Sequence, residues 1–124
     1  MAKLGSRASF GGTVVENISA AKTLDPSDSG KVFTIDQDAA FSITLPTASQ
    51  AGAGWNARFI VTDIGSNDVK IIPDSSEDTL IGMIGSADSS SGNAGPGDWA
   101  ELICDGSNFY VSGQEHDNDG MTIS

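Results

Sequence analysis

Hydrophobic and polar positions alternate along most of this chain in short bursts. Phe33 and Ile35 share one side of an extended segment, and Phe41, Ile43 and Leu45 share one side of the next, with Thr34, Asp36, Ser42 and Thr44 opposite. Period two is the mark of a β-strand with one buried face. A strand–turn–strand shape of this kind is written three times: from Lys31 to Pro46, from Arg58 to Pro73 and from Trp99 to Gly113. Each reads as a β-hairpin. The first two end in proline, which cannot donate to a strand ladder, and the third is read as ending at Gly113. Its turn, Asp105-Gly-Ser-Asn108, is a strong hairpin signal. The middle unit differs. Phe59 and Val61 line one face, but Arg58, Ile60, Thr62 and Ile64 line the other, so both faces carry bulky apolar groups. That calls for cover from a second layer or a neighbouring subunit.

Outside these units the pattern predicts short strands around Val14–Ile18, Lys22–Leu24 and Thr79–Ile84, and an edge strand at Met121–Ile123. Residues 47–54 read as a single helical turn or an open loop, since Gly52 and Gly54 disfavour a helix. Residues 85–98 lack any bulky side chain before Trp99 and read as a long surface loop, with an excursion toward a partner as the alternative. Eight to ten short strands with no substantial helix give an all-β fold: an antiparallel sandwich, jelly roll or small barrel built from short hairpins, the sandwich being favoured. The expected organisation is a flexible docking arm over 1–12, with Leu4 and Phe10 as its pegs, one β domain over 13–113, and a polar tail over 114–124 that adds an edge strand.

Composition narrows function mainly by exclusion. Six basic residues face 17 acidic ones, for a net charge of −11. A field of that sign repels nucleic acid and anionic membranes, and no apolar stretch has the length of a secretion signal or membrane helix. The chain is therefore expected to be synthesised in a cytoplasm, to stay soluble, and to bind neither nucleic acid nor membrane. A single cysteine, Cys104, excludes a disulfide within the chain and reads as a small buried hydrophobe. Fifteen glycines without a triplet period indicate tight turns.

Candidate chemistry is sparse. His116 lies in a polar tail with no nucleophile beside it. Asp117-Asn-Asp119-Gly120 echoes the start of a calcium loop but lacks the later ligand. Asp25/Asp28, Asp36/Asp38 and Glu77/Asp78 read as turn residues. Glu101 is the one carboxylate among apolar neighbours and is expected to face outward or to pair with Arg58 or Lys70 across an interface. No catalytic, cofactor or metal residue is assigned. Trp55, Trp99 and Tyr110 read chiefly as packing residues in the core or between subunits, with a sugar-stacking platform as the alternative.

Four stretches in order, S-GKVFTIDQDAAFSITL-P from Ser29, W-x-x-x-F-I-V-T-D from Trp55 leading to SNDVKII-P, Thr79-Leu-Ile-Gly82, and ELICDGSNFYVS-G from Glu101, together resemble tailed-phage virion structural proteins of the capsid-decoration or tail-fibre type. The resemblance spans roughly residues 29–113. It implies a non-enzymatic capsid decoration, or cement, protein on the capsid exterior. Its partners would be the major capsid protein and other copies of itself, a trimer being favoured over a dimer. The alternative is a receptor- or carbohydrate-binding module of a tail fibre. The interface residues expected on this reading are Leu4, Arg7, Phe10, Arg58, Ile60, Trp99 and Tyr110.

Overall fold

A computed structural model describes residues 13–36, 40–62, 69–74, 79–86, 97–115 and 121–123. Ten strands are found there: β1 (Val15–Ile18), β2 (Lys22–Thr23), β3 (Lys31–Ile35), β4 (Phe41–Thr44), β5 (Ala53–Val61), β6 (Val69–Ile72), β7 (Thr79–Ser86), β8 (Trp99–Asp105), β9 (Asn108–Glu115) and β10 (Met121–Ile123). They form a six-stranded sheet, ordered β1-β3-β5-β8-β9-β7, and a four-stranded sheet, ordered β10-β6-β4-β2. The only helical pieces among the described residues are a 3-10 turn at Pro26–Asp28 and one α-helical turn, α1 (Ala48–Ala51). The fold is thus all-β without substantial helix.

The pairing corrects the antiparallel expectation. Six strand pairs run parallel and two antiparallel. The first two predicted hairpins are not hairpins: β3 lies in the larger sheet and β4 in the smaller, and β5 and β6 divide in the same way. Each of these two units is instead one rung, its first strand in the larger sheet and its second in the smaller. The next rung lies beside it in register, so β1, β3 and β5 are parallel neighbours, as are β2, β4 and β6. Period two tells which side of a strand is buried and is silent about which strand lies next to it. Only the third unit is a true hairpin, with β8 and β9 antiparallel.

In-register stacking makes columns of like residues. Phe33 aligns with Phe59, and Ile18 with Ile35 and then Val61. The two phenylalanine rings lie 5.4 Å apart at 19°. On the smaller sheet Ile43 aligns with Ile71. Leu24 N donates to Thr44 O at 2.8 Å and Leu45 N to Ile72 O at 2.9 Å, carrying the ladder one residue past each strand. All these apolar side chains belong to one buried cluster fed by both sheets. Pro46 and Pro73 fall just past β4 and β6, where the missing N–H interrupts no strand bond.

The opposite end of the columns is polar. Glu16 is in register with Phe33, and Lys22 with Ile43, so both occupy inward positions on the outermost strands. Lys22 Nζ lies 2.9 Å from Glu16 Oε2, and Lys31 Nζ lies 3.1 Å from Glu16 Oε1 and 2.7 Å from Asp28 Oδ1. Asp28, buried, also accepts the Asp25 N–H, completing a reciprocal cap on the 3-10 turn. The pair Asp25/Asp28 is thus built into a turn, as its sequence suggested.

One open alternative is decided, and two other details differ from expectation. Residues 47–54 hold one helical turn, started by Thr47 accepting from Gln50 N and stopped at Gly52, whose φ is +80°. β7 runs to Ser86, so the predicted loop starts later than 85, and β9 continues through Gly113 to Glu115. Gly113 is required by crowding, since a Cβ there would fall 2.3 Å from Trp99 O. β10 is an edge strand, as the pattern of 121–123 suggested.

Candidate functional site

The outward face of the six-stranded sheet collects the distinctive surface side chains. Along β8, Ala100, Leu102 and Cys104 point into the core, so Trp99, Glu101 and Ile103 point outward; along β9, Phe109 and Val111 point in and Tyr110 out. Register then defines rows across strands. Asn56 of β5, Ile103 of β8, Tyr110 of β9 and Ile81 of β7 form one row. Ile103, Tyr110 and Ile81 are 51%, 40% and 40% exposed, three large apolar side chains side by side on three adjacent strands. Scattered exposed apolar residues are ordinary, whereas a contiguous row is a mark of an interaction surface.

The next row holds Arg58 on β5, Glu101 on β8 and Ser112 on β9. Arg58 donates to Glu101 Oε2 through Nε at 3.1 Å and Nη2 at 2.6 Å. Glu101 therefore faces outward and pairs with Arg58 across two strands of its own chain; Lys70 stands exposed on the other sheet. The third row contains Ile60 and Trp99, with Gln114 beyond. Arg58 also lies over the Trp99 ring, 6.0 Å from its centroid, and Arg58, Ile60, Gly97 and Trp99 line a shallow pocket of about 420 Å³.

Tyr110 is held in place by the hairpin turn. Asp105 Oδ1 accepts from Ser107 N at 2.8 Å and Asn108 N at 2.7 Å, and Tyr110 OH donates to Asp105 Oδ2 at 2.9 Å. The Asn108 and Ser107 amides, followed by the Tyr110 hydroxyl, hold the Asp105 carboxyl below its ordinary range. The same hydroxyl bond raises the Tyr110 phenol. A ring fixed in this way loses little rotamer freedom when a partner packs on it.

Four of the seven residues singled out from sequence, Arg58, Ile60, Trp99 and Tyr110, share this face, and the first three line one pocket. Leu4, Arg7 and Phe10 lie outside the described residues, as do His116, the Asp117–Gly120 run, Glu77, Asp78 and most of the predicted 85–98 loop. Trp55 is not part of any surface platform. It is 2% exposed, meets Phe109 edge-on at 5.8 Å and donates through Nε1 to Asp25 O. Cys104 is buried, donating weakly to Ala48 O and accepting from Gly106 N. Ile103 and Ile81 were missed because the alternation in their strands marks them as outward and nothing in the sequence sets them beside Tyr110. That adjacency comes from β7 pairing parallel to β9. Among the described residues, no three His, Cys, Asp or Glu side chains converge to hold a metal ion. No protein-family model, no curated protein and no solved structure matches this chain.

Proposed function

We propose that this chain is a non-enzymatic virion component of a tailed phage, a decoration or cement protein that attaches to the capsid exterior and acts as a rigid docking surface. The observation that carries the docking part is the row Ile103–Tyr110–Ile81, exposed across three strands beside the Arg58–Glu101 pair. Apolar row, pre-set tyrosine and neighbouring arginine match the composition of protein–protein contact surfaces. The capsid and the phage enter through the resemblance of residues 29–113, which also suggests the segment 1–12, with Leu4, Arg7 and Phe10, as the attachment arm. The fold supports a mechanical role: we read its paired rungs as a short two-sheet stack with in-register apolar columns, stiff along the stacking direction. Many weak copies on a symmetric shell would then add their contacts by multivalency.

The test is co-sedimentation of the chain with shells assembled from the major capsid protein of its source phage. Saturable binding that is lost on deleting residues 1–12, with the fold retained by circular dichroism, is the expected result. A folded chain that leaves the shells bare at every concentration overturns the capsid assignment. A second reading, a receptor- or carbohydrate-binding fibre module, draws on the Trp99 pocket. Retention on a glycan panel that disappears in Trp99→Ala would favour it.

A further inference from the structure

We infer that the outward face of the six-stranded sheet is covered by a second copy of this chain, packed face to face about a twofold axis. The inference rests on reading that face as a docking surface and names its occupant. Charge is the first argument. The chain carries −11 overall, so two copies repel unless they meet where the field is weakest. The outward rows supply such a place: Asn56, Ile60, Trp99, Ile103, Tyr110 and Ser112 are uncharged, and Arg58 and Glu101 neutralise each other at 2.6 Å. Asp105 sits beyond Ile103 in the turn, at the margin of the patch. A basic partner would be drawn to the acidic remainder of the surface, not to its neutral part.

The second argument is self-complementarity. Adjacent opposite charges on a flat face form a pattern that matches itself. A twofold axis lying in the interface, between Arg58 and Glu101 and across the line joining them, sets Arg58 of one copy over Glu101 of the other, twice. On that axis Trp99 of each copy lies over Ile60 of the other, while Ile103 lies over Asn56. Isologous contacts of this kind close at two subunits, so the expected species is a dimer, not the trimer suggested by resemblance. Area is consistent: six strands spaced about 4.8 Å and averaging roughly 23 Å in length present roughly 650 Å² in projection, close to the ~800 Å² per partner of a standard interface.

Analytical ultracentrifugation over a wide concentration series tests this, using wild type, Arg58→Glu, Glu101→Arg and an equimolar mixture of the two variants. Each reversal makes the face like-charged, and each variant alone is expected to dimerise at least about tenfold more weakly than wild type. The mixture pairs an acidic face with a basic one and is expected to regain dimer. Recovery on mixing cannot come from a folding defect, and melts of the separate variants check folding directly. Wild type that stays monomeric throughout overturns the inference, while shell binding in the co-sedimentation assay would still leave the docking reading standing. A wild-type dimer that neither reversal weakens also overturns it, by placing self-association on another surface.

Discussion

Replacing Phe33 and Phe59 by leucine, singly and together, tests the parallel rung arrangement at its centre. Both rings are fully buried and stacked 5.4 Å apart at 19°, because β3 and β5 are parallel and in register. Leucine keeps most of the volume. Removing some 40–50 Å² of buried apolar surface at about 25 cal/mol per Å² costs about 1 kcal/mol per site, and the small void left behind raises this to about 1–2 kcal/mol. Leucine is preferred to alanine because Phe→Ala costs about 3–5 kcal/mol, a large share of the ~5–15 kcal/mol that holds a domain together. The informative quantity is the coupling. A stacked aromatic pair contributes about 0.5–1.5 kcal/mol beyond its area, so the double variant should be less destabilised than the sum of the singles by about that amount. Urea unfolding of all four proteins, with unchanged slopes, gives the cycle. If residues 31–46 formed a hairpin, Phe33 would have its cross-strand neighbours among residues 41–45 and no stacking partner at Phe59. Singles that destabilise normally but add to within about 0.3 kcal/mol would refute the stacked register.

Three further outcomes follow from the same geometry. Gly113→Ala should lower the melting temperature by several degrees, since its Cβ meets Trp99 O at 2.3 Å and β8 and β9 must part by roughly 1 Å to admit it; a melt equal to wild type would contradict the close approach. The ionic cluster should make stability depend on pH at both ends. Hydrogen bonds from Lys22 and then Lys31 depress the Glu16 carboxyl, so its contribution is present above the ordinary value of 4.5 and is lost as pH falls through the lowered one. Bonds to Glu16 raise Lys22, and bonds to Asp28 and then Glu16 raise Lys31, so theirs is present below 10.5 and is lost as pH rises through the raised values. Glu16→Gln should flatten the acid limb of a stability–pH profile, and an unchanged limb would count against the cluster. Arg58→Ala should change monomer stability by only about 0.2–1 kcal/mol in denaturant, because both partners are about half exposed.

Most strand positions were legible in the sequence, because period two survives wherever one face is buried. Phe33, Ile35, Ile43, Phe59, Leu102 and Phe109 all lie inward as their alternation implied. Connectivity was not legible for two of the three units. The Lys31–Pro46 and Arg58–Pro73 segments have the same grammar as a hairpin because both a hairpin and a rung need two amphipathic strands and a polar reversal. What separates them is the partner of each strand, set by long-range registry between Phe33 and Phe59 or between Ile43 and Ile71. The third unit differs visibly, with Asp105-Gly106 forming a tight turn in which Gly106 takes φ +96° and Asp105 accepts from the Ser107 and Asn108 amides. Arg58 and Trp99 were legible as unusual outward residues; their meeting across β5 and β8, 41 positions apart in sequence, was not.

The charges at the first rung bear on how copies of such a fold can meet. A stack of rungs has two ends, and an end whose inward positions are apolar invites another rung from another chain. Here Glu16 and Lys22 stand in the columns where Phe33 and Ile43 stand one rung later. Continuing the stack past β1 and β2 would bury that ion pair against apolar side chains and strip it of water, a cost its mutual attraction rarely recovers. Inward-pointing charge of this kind is one way a sheet edge resists edge-to-edge growth. Val14 and Val15 stay exposed at the same margin, so apolar surface alone does not decide where copies associate; the ionic cap beside it does. If copies associate as inferred above, this end disfavours the contact, whereas the broad outward face pairs Arg58 with Glu101 and leaves its apolar row open.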